Sequence, residues 1–112
     1  MILITGASSG LGAALAALYA KDNQALTLTG RDANRLHTVA NALSPFSNQS
    51  ISAISANLAD EASVEALFDG LTDAPDTVIH CAGSGYFGTL ETQGTSEIQA
   101  LLNNNVTSTI LL

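Results

Sequence analysis

Thr5-Gly6-Ala7-Ser8-Ser9-Gly10-Leu11-Gly12 follows directly on the apolar run Met1-Ile2-Leu3-Ile4. A short apolar run that breaks into glycines and then into a helical pattern reads as strand, tight turn, helix. Glycine lets the backbone turn sharply and come close to a ligand. The first turn of the following helix carries unpaired N–H groups and the positive end of the helix dipole. The stretch is therefore a phosphate cradle. Gly6 makes the tight turn, Ser8 and Ser9 offer hydroxyl and N–H groups to phosphate or ribose, and Gly10 and Gly12 open the helix on either side of Leu11. The spacing is Gly-x-x-x-Gly-x-Gly, not the Gly-x-Gly-x-x-Gly of the commonest dinucleotide fingerprint.

Outward from this stretch the chain alternates between two periodicities. Residues 10–22 are helical, with Leu11, Leu15, Leu18 and Tyr19 on one apolar face. Residues 25–29 (Ala-Leu-Thr-Leu-Thr) read as a second strand, and 32–43 as a helix with Asp32 as N-cap. Residues 44–50 hold Pro45 and polar side chains and form a loop. Residues 51–56 make a third strand. Asp60 caps a helix that presents Val64, Leu67, Phe68 and Leu71 on one face, and Gly70 and Pro75 mark its exit. Residues 77–81 are a fourth strand, 82–93 a glycine-bearing loop, and from residue 95 a helical pattern runs to the end. That last helix places Ile98, Leu101, Leu102, Asn105 and Val106 on one stripe. Strands alternating with helices predict an α/β fold, a doubly wound parallel sheet of Rossmann type with strand order 3-2-1-4. Ligands of such sheets bind at the carboxyl ends of the strands, where the order reverses. The glycine turn and Cys81-Ala82-Gly83 would meet there.

Composition narrows the function. The 112 residues allow at most one domain, and 46% hydrophobic content is ample for a core. The net charge is −7 and only Lys21, Arg31 and Arg35 are basic, which argues against nucleic acid as a partner. Cys81 is the only cysteine, so no disulfide forms within the chain, and a reducing, cytoplasmic setting is the natural reading. Residues 1–4 are too few for a signal peptide, and no run approaches the ~18 apolar residues of a membrane-spanning helix. His37 and His80 stand without a Cys/His pair at ligand spacing, so no metal site is expected. The chain closes on Thr109-Ile110-Leu111-Leu112 without a helix stop signal, and its fourth strand would be an unprotected edge. Residues 1–112 are thus expected to be a dinucleotide-binding domain, incomplete at its C-terminus and part of a longer protein.

Three segments, in order, carry a family resemblance across the chain. Thr5-Gly6-Ala7-Ser8-Ser9-Gly10-Leu11-Gly12 resembles the cofactor motif of the short-chain dehydrogenase/reductase family. His80-Cys81-Ala82-Gly83 is similar to that family's Asn-Asn-Ala-Gly element after the fourth strand, and Asn105-Val106-Thr107-Ser108 resembles its Asn-containing segment in the next helix. Arg31 follows the second strand, and nothing acidic occupies Thr29 or Gly30, where a carboxylate would grip a ribose 2′-hydroxyl. A guanidinium fork suits a 2′-phosphate. The resemblance implies NADP in preference to NAD. Asp32 could instead reach a ribose, although its capping role accounts for it.

Further along, Asn57 and Leu58 stand where the family meets adenine, usually through an aspartate. Asn57 keeps an acceptor oxygen, and a plain turn asparagine is an equally open reading. His80 and Cys81 replace the family's two asparagines. They read as a strand-end histidine bonded to a neighbouring loop and as a small buried apolar residue. What carries over is backbone shape, with Ala82 and Gly83 leaving room for the adenosine ribose and Cys81 counted beside them among the cofactor-binding residues. Asn105 is a polar residue on an apolar stripe, and a buried amide needs a partner. The resemblance implies that it bends the helix and supports a water in the proton relay, which makes it the chain's catalytic candidate.

Redox chemistry at a carbonyl or alcohol needs a hydride from nicotinamide and a proton from a tuned acid. The resemblance implies a serine and a tyrosine followed four residues later by lysine. Here Tyr19 is followed by Asn23 and Tyr86 by Leu90, and Lys21 precedes the second strand. The resemblance implies the Tyr-x-x-x-Lys element about 45 residues beyond Leu112, from the family's layout and the usual crossover lengths. The expectation is thus the cofactor-binding part of an NADP-dependent short-chain oxidoreductase acting on a small-molecule carbonyl or alcohol. It would be inactive by itself and a homo-oligomer when whole. The alternatives are a non-catalytic dinucleotide-binding or sensor module, and an interaction fragment using its apolar last helix. Tyr19 reads as a packing residue. Tyr86 and Phe87 are loop residues, in a segment that could touch substrate but is not counted in the site.

Overall fold

The computed structural model describes residues 1–83 and 94–112. Most of the expected loop, with Tyr86 and Phe87, lies outside the described residues. The elements are β1 (Ile2–Thr5), α1 (Gly10–Lys21), β2 (Leu26–Gly30), α2 (Ala33–Leu43), a 3-10 turn (Ser44–Phe46), β3 (Ile51–Ser55), α3 (Glu61–Asp69), β4 (Thr77–His80), α4 (Thr95–Leu102), a π-turn (Asn103–Thr107) and α5 (Ser108–Leu111). The sheet order is β3-β2-β1-β4, and every pairing is parallel. In this register Thr5 stands opposite both Thr29 and His80, so the carboxyl ends of three strands form one row.

The central strands are the most apolar, as parallel strands covered on both faces must be. Leu3, Ile4, Leu26 and Leu28 are essentially inaccessible to solvent. Side chains alternate across the sheet. Ile4, Leu26 and Leu28 pack with Ala16 and Ala20 of α1 and with Leu36 and Ala40 of α2. On the other face Ile54 joins Ala56, Leu58, Val64 and Leu67, against which Leu111 and Leu112 also pack. Asp32 caps α2 by accepting from the Arg35 N–H at 3.1 Å, and Asp60 caps α3 by accepting from the Ser63 N–H at 3.2 Å.

Two helical faces differ from expectation. In α1 the sheet takes Gly12, Ala16 and Ala20, while Leu11 and Leu18 remain 68% and 64% exposed. The physical reason is distance, because a helix that opens on a tight backbone turn must approach the sheet closely and small residues permit that. In the last helix Ile98, Leu102 and Val106 are exposed, and the buried residue is Ser108. The π-turn at 103–107 shifts Val106 and the residues after it off a stripe counted at 3.6 residues per turn; Ile98 and Leu102 precede it, and their exposure does not follow from it. Among the described residues, no helix is long and apolar enough to cross a membrane, and no group of His, Cys, Asp or Glu could hold a metal ion.

Candidate functional site

The site begins where β1 ends. Gly6 turns the chain at φ 63°, and a Cβ there would lie 2.7 Å from backbone atoms of Cys81 and Ala82. The glycine turn and the segment leaving β4 are therefore in direct backbone contact. The buried Thr5 hydroxyl fastens them, accepting the N–H of Cys81 at 3.0 Å and of Ala82 at 3.1 Å. A Cβ on Gly12 would run into the Gly6 carbonyl, so α1 sits hard against the turn. Gly10 differs. It has φ 56°, and nothing lies within 4 Å of where its Cβ would be. Ser9 is the extended N-cap of α1, its side chain makes no capping bond, and no acidic residue stands in the first turn. That leaves the positive end of the helix dipole to a ligand.

A cleft of about 500 Å³ opens over this turn, a size usual for small-molecule sites. It is lined by Gly6, Ser8, Ser9, Gly10, Leu11 and Gly12 after β1, Arg31 after β2, Asn57 and Leu58 after β3, and Cys81, Ala82 and Gly83 after β4. All the residues expected around a cofactor are thus brought together. Cys81 is half-buried and lines the cleft; it is not the core residue expected. The Asn57 side-chain oxygen accepts from the Ala59 N–H at 3.1 Å, a turn role, while the residue still faces the cleft.

Asn105 is not in the lining; Asn104 and Ser108 are. It is exposed where a buried amide was expected, and its Nδ2 donates to the Leu101 carbonyl at 2.9 Å within its own helix. Its Oδ1 comes within 2.7 Å of the position a Gly83 Cβ would take, so the missing side chain of Gly83 lets the helix close on the cleft wall. His80, expected against a loop, bonds instead to β1 and α5. Its Nδ1 is 2.7 Å from Thr5 Oγ1 and its Nε2 3.0 Å from Thr109 Oγ1.

The electrostatics of the cleft are one-sided. Two of the chain's three basic side chains, Arg31 and Arg35, line it together with Asp32. The Asp32 carboxylate is engaged in capping α2, and among the described residues no ion pair joins either arginine to a carboxylate. Lys21, the third cation, stands in the last turn of α1, where it complements the helix dipole. The described ion pair is distant, between the Met1 amino group and Asp76 at 2.6 Å. Sequence reasoning overlooked Arg35, Asn104, Ser108 and the Thr5 hydroxyl. Arg35 had a signal, since it stands in the first turn of α2, directly after the Asp32 cap and beside the carboxyl end of β2.

A family model for short chain dehydrogenase matches residues 1–112. A short-chain dehydrogenase/reductase from Vibrio parahaemolyticus has the same fold, with 48% identity and a TM-score of 0.90 over 99% of this chain and 50% of that one. A short-chain dehydrogenase from Sphingobium yanoikuyae, solved in complex with NADPH, is 33% identical with a TM-score of 0.89 over 98% of this chain and 44% of that one. A PIGF/3-ketodihydrosphingosine reductase fusion protein of Schizosaccharomyces pombe is 34% identical over 96 residues, 80% of this chain and 19% of that protein. The chain therefore spans half or less of the length of each of these relatives.

Proposed function

Because the chain belongs to the short-chain dehydrogenase family, we propose that its cleft binds NADP(H) and that the whole protein moves hydride between that cofactor and a small carbonyl or alcohol. The observation that carries the cofactor reading is that Arg31 and Arg35, without an ion-pair partner among the described residues, line the same cleft as the glycine turn. The residues fit the group. The space over Gly10 and the uncapped start of α1 suit a pyrophosphate, and a guanidinium pair suits a 2′-phosphate. In this reading Gly6, Ser8, Ser9, Gly10, Leu11 and Gly12 hold the pyrophosphate. Arg31, with Arg35, holds the 2′-phosphate, and Asp32 stays a helix cap. Asn57 and Leu58 flank adenine, and Cys81, Ala82 and Gly83 border the ribose.

The bound nicotinamide would supply hydride transfer. Asn105 would support the proton relay through its helix. The serine and the Tyr-x-x-x-Lys element lie in the remainder of the whole protein, so residues 1–112 bind cofactor without turnover. NADPH in complex with the Sphingobium yanoikuyae relative supports the choice of cofactor. We further propose a cytoplasmic homo-oligomer that buries the exposed Ile98, Leu102, Val106 and Ile110.

The test is a comparison of NADPH and NADH affinity in the wild type, Arg31→Ala and Arg35→Ala. Removing either guanidinium should weaken NADPH by roughly tenfold or more and leave NADH nearly unchanged, because each takes away a charge-assisted hydrogen bond to the 2′-phosphate. An NADPH-to-NADH ratio unmoved by Arg31→Ala would refute the assignment.

A further inference from the structure

His80 stands opposite Thr5 in the register of β1 and β4. Three groups converge on the fully buried Thr5 hydroxyl: the N–H of Cys81 at 3.0 Å, the N–H of Ala82 at 3.1 Å and Nδ1 of His80 at 2.7 Å. A hydroxyl oxygen has two acceptor sites and one proton. Backbone N–H groups can only donate, so they fill both acceptor sites. The Thr5 proton is left for Nδ1, which must be bare. The ring's own proton is then on Nε2 and donates to Thr109 Oγ1 at 3.0 Å. The Thr109 hydroxyl donates in turn to the Asn105 carbonyl at 2.8 Å. One direction of donation satisfies every group from β1 to the π-turn.

We infer that His80 is a positioning residue, locked as the neutral Nε2–H tautomer, that ties the Asn105-bearing helix to the cleft wall through Thr5, and that a second proton on the ring releases this tie. A doubly protonated ring would aim Nδ1–H at an oxygen whose acceptor sites are taken. It would also leave a fully buried hydroxyl proton without an acceptor. Relief requires moving His80 or the Cys81 and Ala82 N–H groups, and those N–H groups hold the backbone against Gly6. Among the described residues, β1, β4, the π-turn and α5 carry no Asp, Glu, Lys or Arg, and Cys81 is the adjacent titratable group. Glu97 stands in the first turn of α4, and Glu61, Glu65 and Asp69 of α3 are exposed.

The effect on ligand binding rests on the cofactor reading above, whereas the tautomer does not, so two measurements separate them. In histidine-¹⁵N-labelled protein at pH 8, long-range ¹H–¹⁵N correlations should show His80 protonated at Nε2 alone. A ring protonated at Nδ1, or averaging between tautomers, would overturn the inference without any ligand. Calorimetric titration with NADP⁺ at pH 8 and pH 5 then compares wild type with His80→Asn. Asparagine offers its carbonyl where Nδ1 stood and does not titrate. The wild type should lose roughly tenfold more affinity than His80→Asn over this interval, the size of one buried hydroxyl left unpaired. Protonation of the ligand's phosphate and of His37 is common to both proteins and cancels. His80→Leu, which lacks both nitrogens, should already be roughly tenfold weaker at pH 8. Parallel pH curves for wild type and His80→Asn would overturn the release by protonation. Absence of NADP⁺ binding to wild type at pH 8 would instead refute the cofactor reading, and the tautomer measurement would decide the inference by itself.

Discussion

Alanine at Gly6 should cost far more stability than alanine at Gly10, although both glycines sit in the left-handed region, at φ 63° and 56°. The conformational cost is shared. A side chain in that region loses about 1–2 kcal/mol, offset by about 0.4–1 kcal/mol from the stiffer unfolded chain. At Gly10 nothing lies within 4 Å of the new Cβ, so a net loss of about 1 kcal/mol is the whole effect. At Gly6 the Cβ meets three backbone atoms of Cys81 and Ala82 at 2.7 Å. Backbone cannot rotate away, and forced overpacking adds about 1–3 kcal/mol. The two variants should therefore differ by about 2 kcal/mol, on the order of 8 °C in melting temperature for a chain of this size. Urea unfolding followed by far-ultraviolet circular dichroism measures this directly, provided the slope is unchanged. Losses equal to within about 0.5 kcal/mol would refute the contact between the glycine turn and the β4 exit on which the cleft depends.

Leu18→Gln should change stability by no more than about 0.5 kcal/mol because Leu18 faces solvent, whereas Ala16→Leu on the sheet-facing side should cost about 1–3 kcal/mol; denaturant midpoints of the two variants check both. Removing the cap of α3 with Asp60→Ala should cost about 1 kcal/mol in the same assay. Asp76 is held below the ordinary carboxylate range, first by its hydrogen bond from the Met1 amino group and then by that group's charge. Its folded value is depressed, so the stabilisation is present above the unfolded value and disappears as pH falls through the lowered one. The carboxylate is fully exposed, so thermal melts of Asp76→Asn should match wild type to within error at pH 7, and any difference should shrink as pH falls below the ordinary carboxylate range.

Much of the fold was legible because each signal was local. Ile2 to Ile4 and the Leu-Thr-Leu-Thr run of β2 are short and apolar enough to be strands covered on both faces. Asp32 and Asp60 cap the helices they precede. The residues lining the cleft were legible for a related reason. In a parallel sheet the carboxyl ends of adjacent strands stand in one row, so strand order alone brings residues 6–12, 31, 57–58 and 81–83 together. The α1 face was not legible. That helix is apolar all round, and periodicity cannot choose between leucines and alanines when both are hydrophobic. Asn105 was misjudged as buried because the π-turn that rotates it is a feature of the closed helix and leaves no mark in residue spacing.

The order of elements, the parallel sheet and the strand, glycine turn and helix of residues 2–21 follow from the sequence by itself, since hydrophobic period, capping and glycine placement act over a few residues. Packing decided the rest. The close approach of Gly6 to Cys81 and Ala82 and the tautomer of His80 both depend on groups far apart in the chain. His80 takes its proton arrangement from Thr5, 75 residues earlier, and Thr109, 29 residues later. A hydrogen-bond direction is a property of where all the donors and acceptors end up, and only the folded chain puts them in one place.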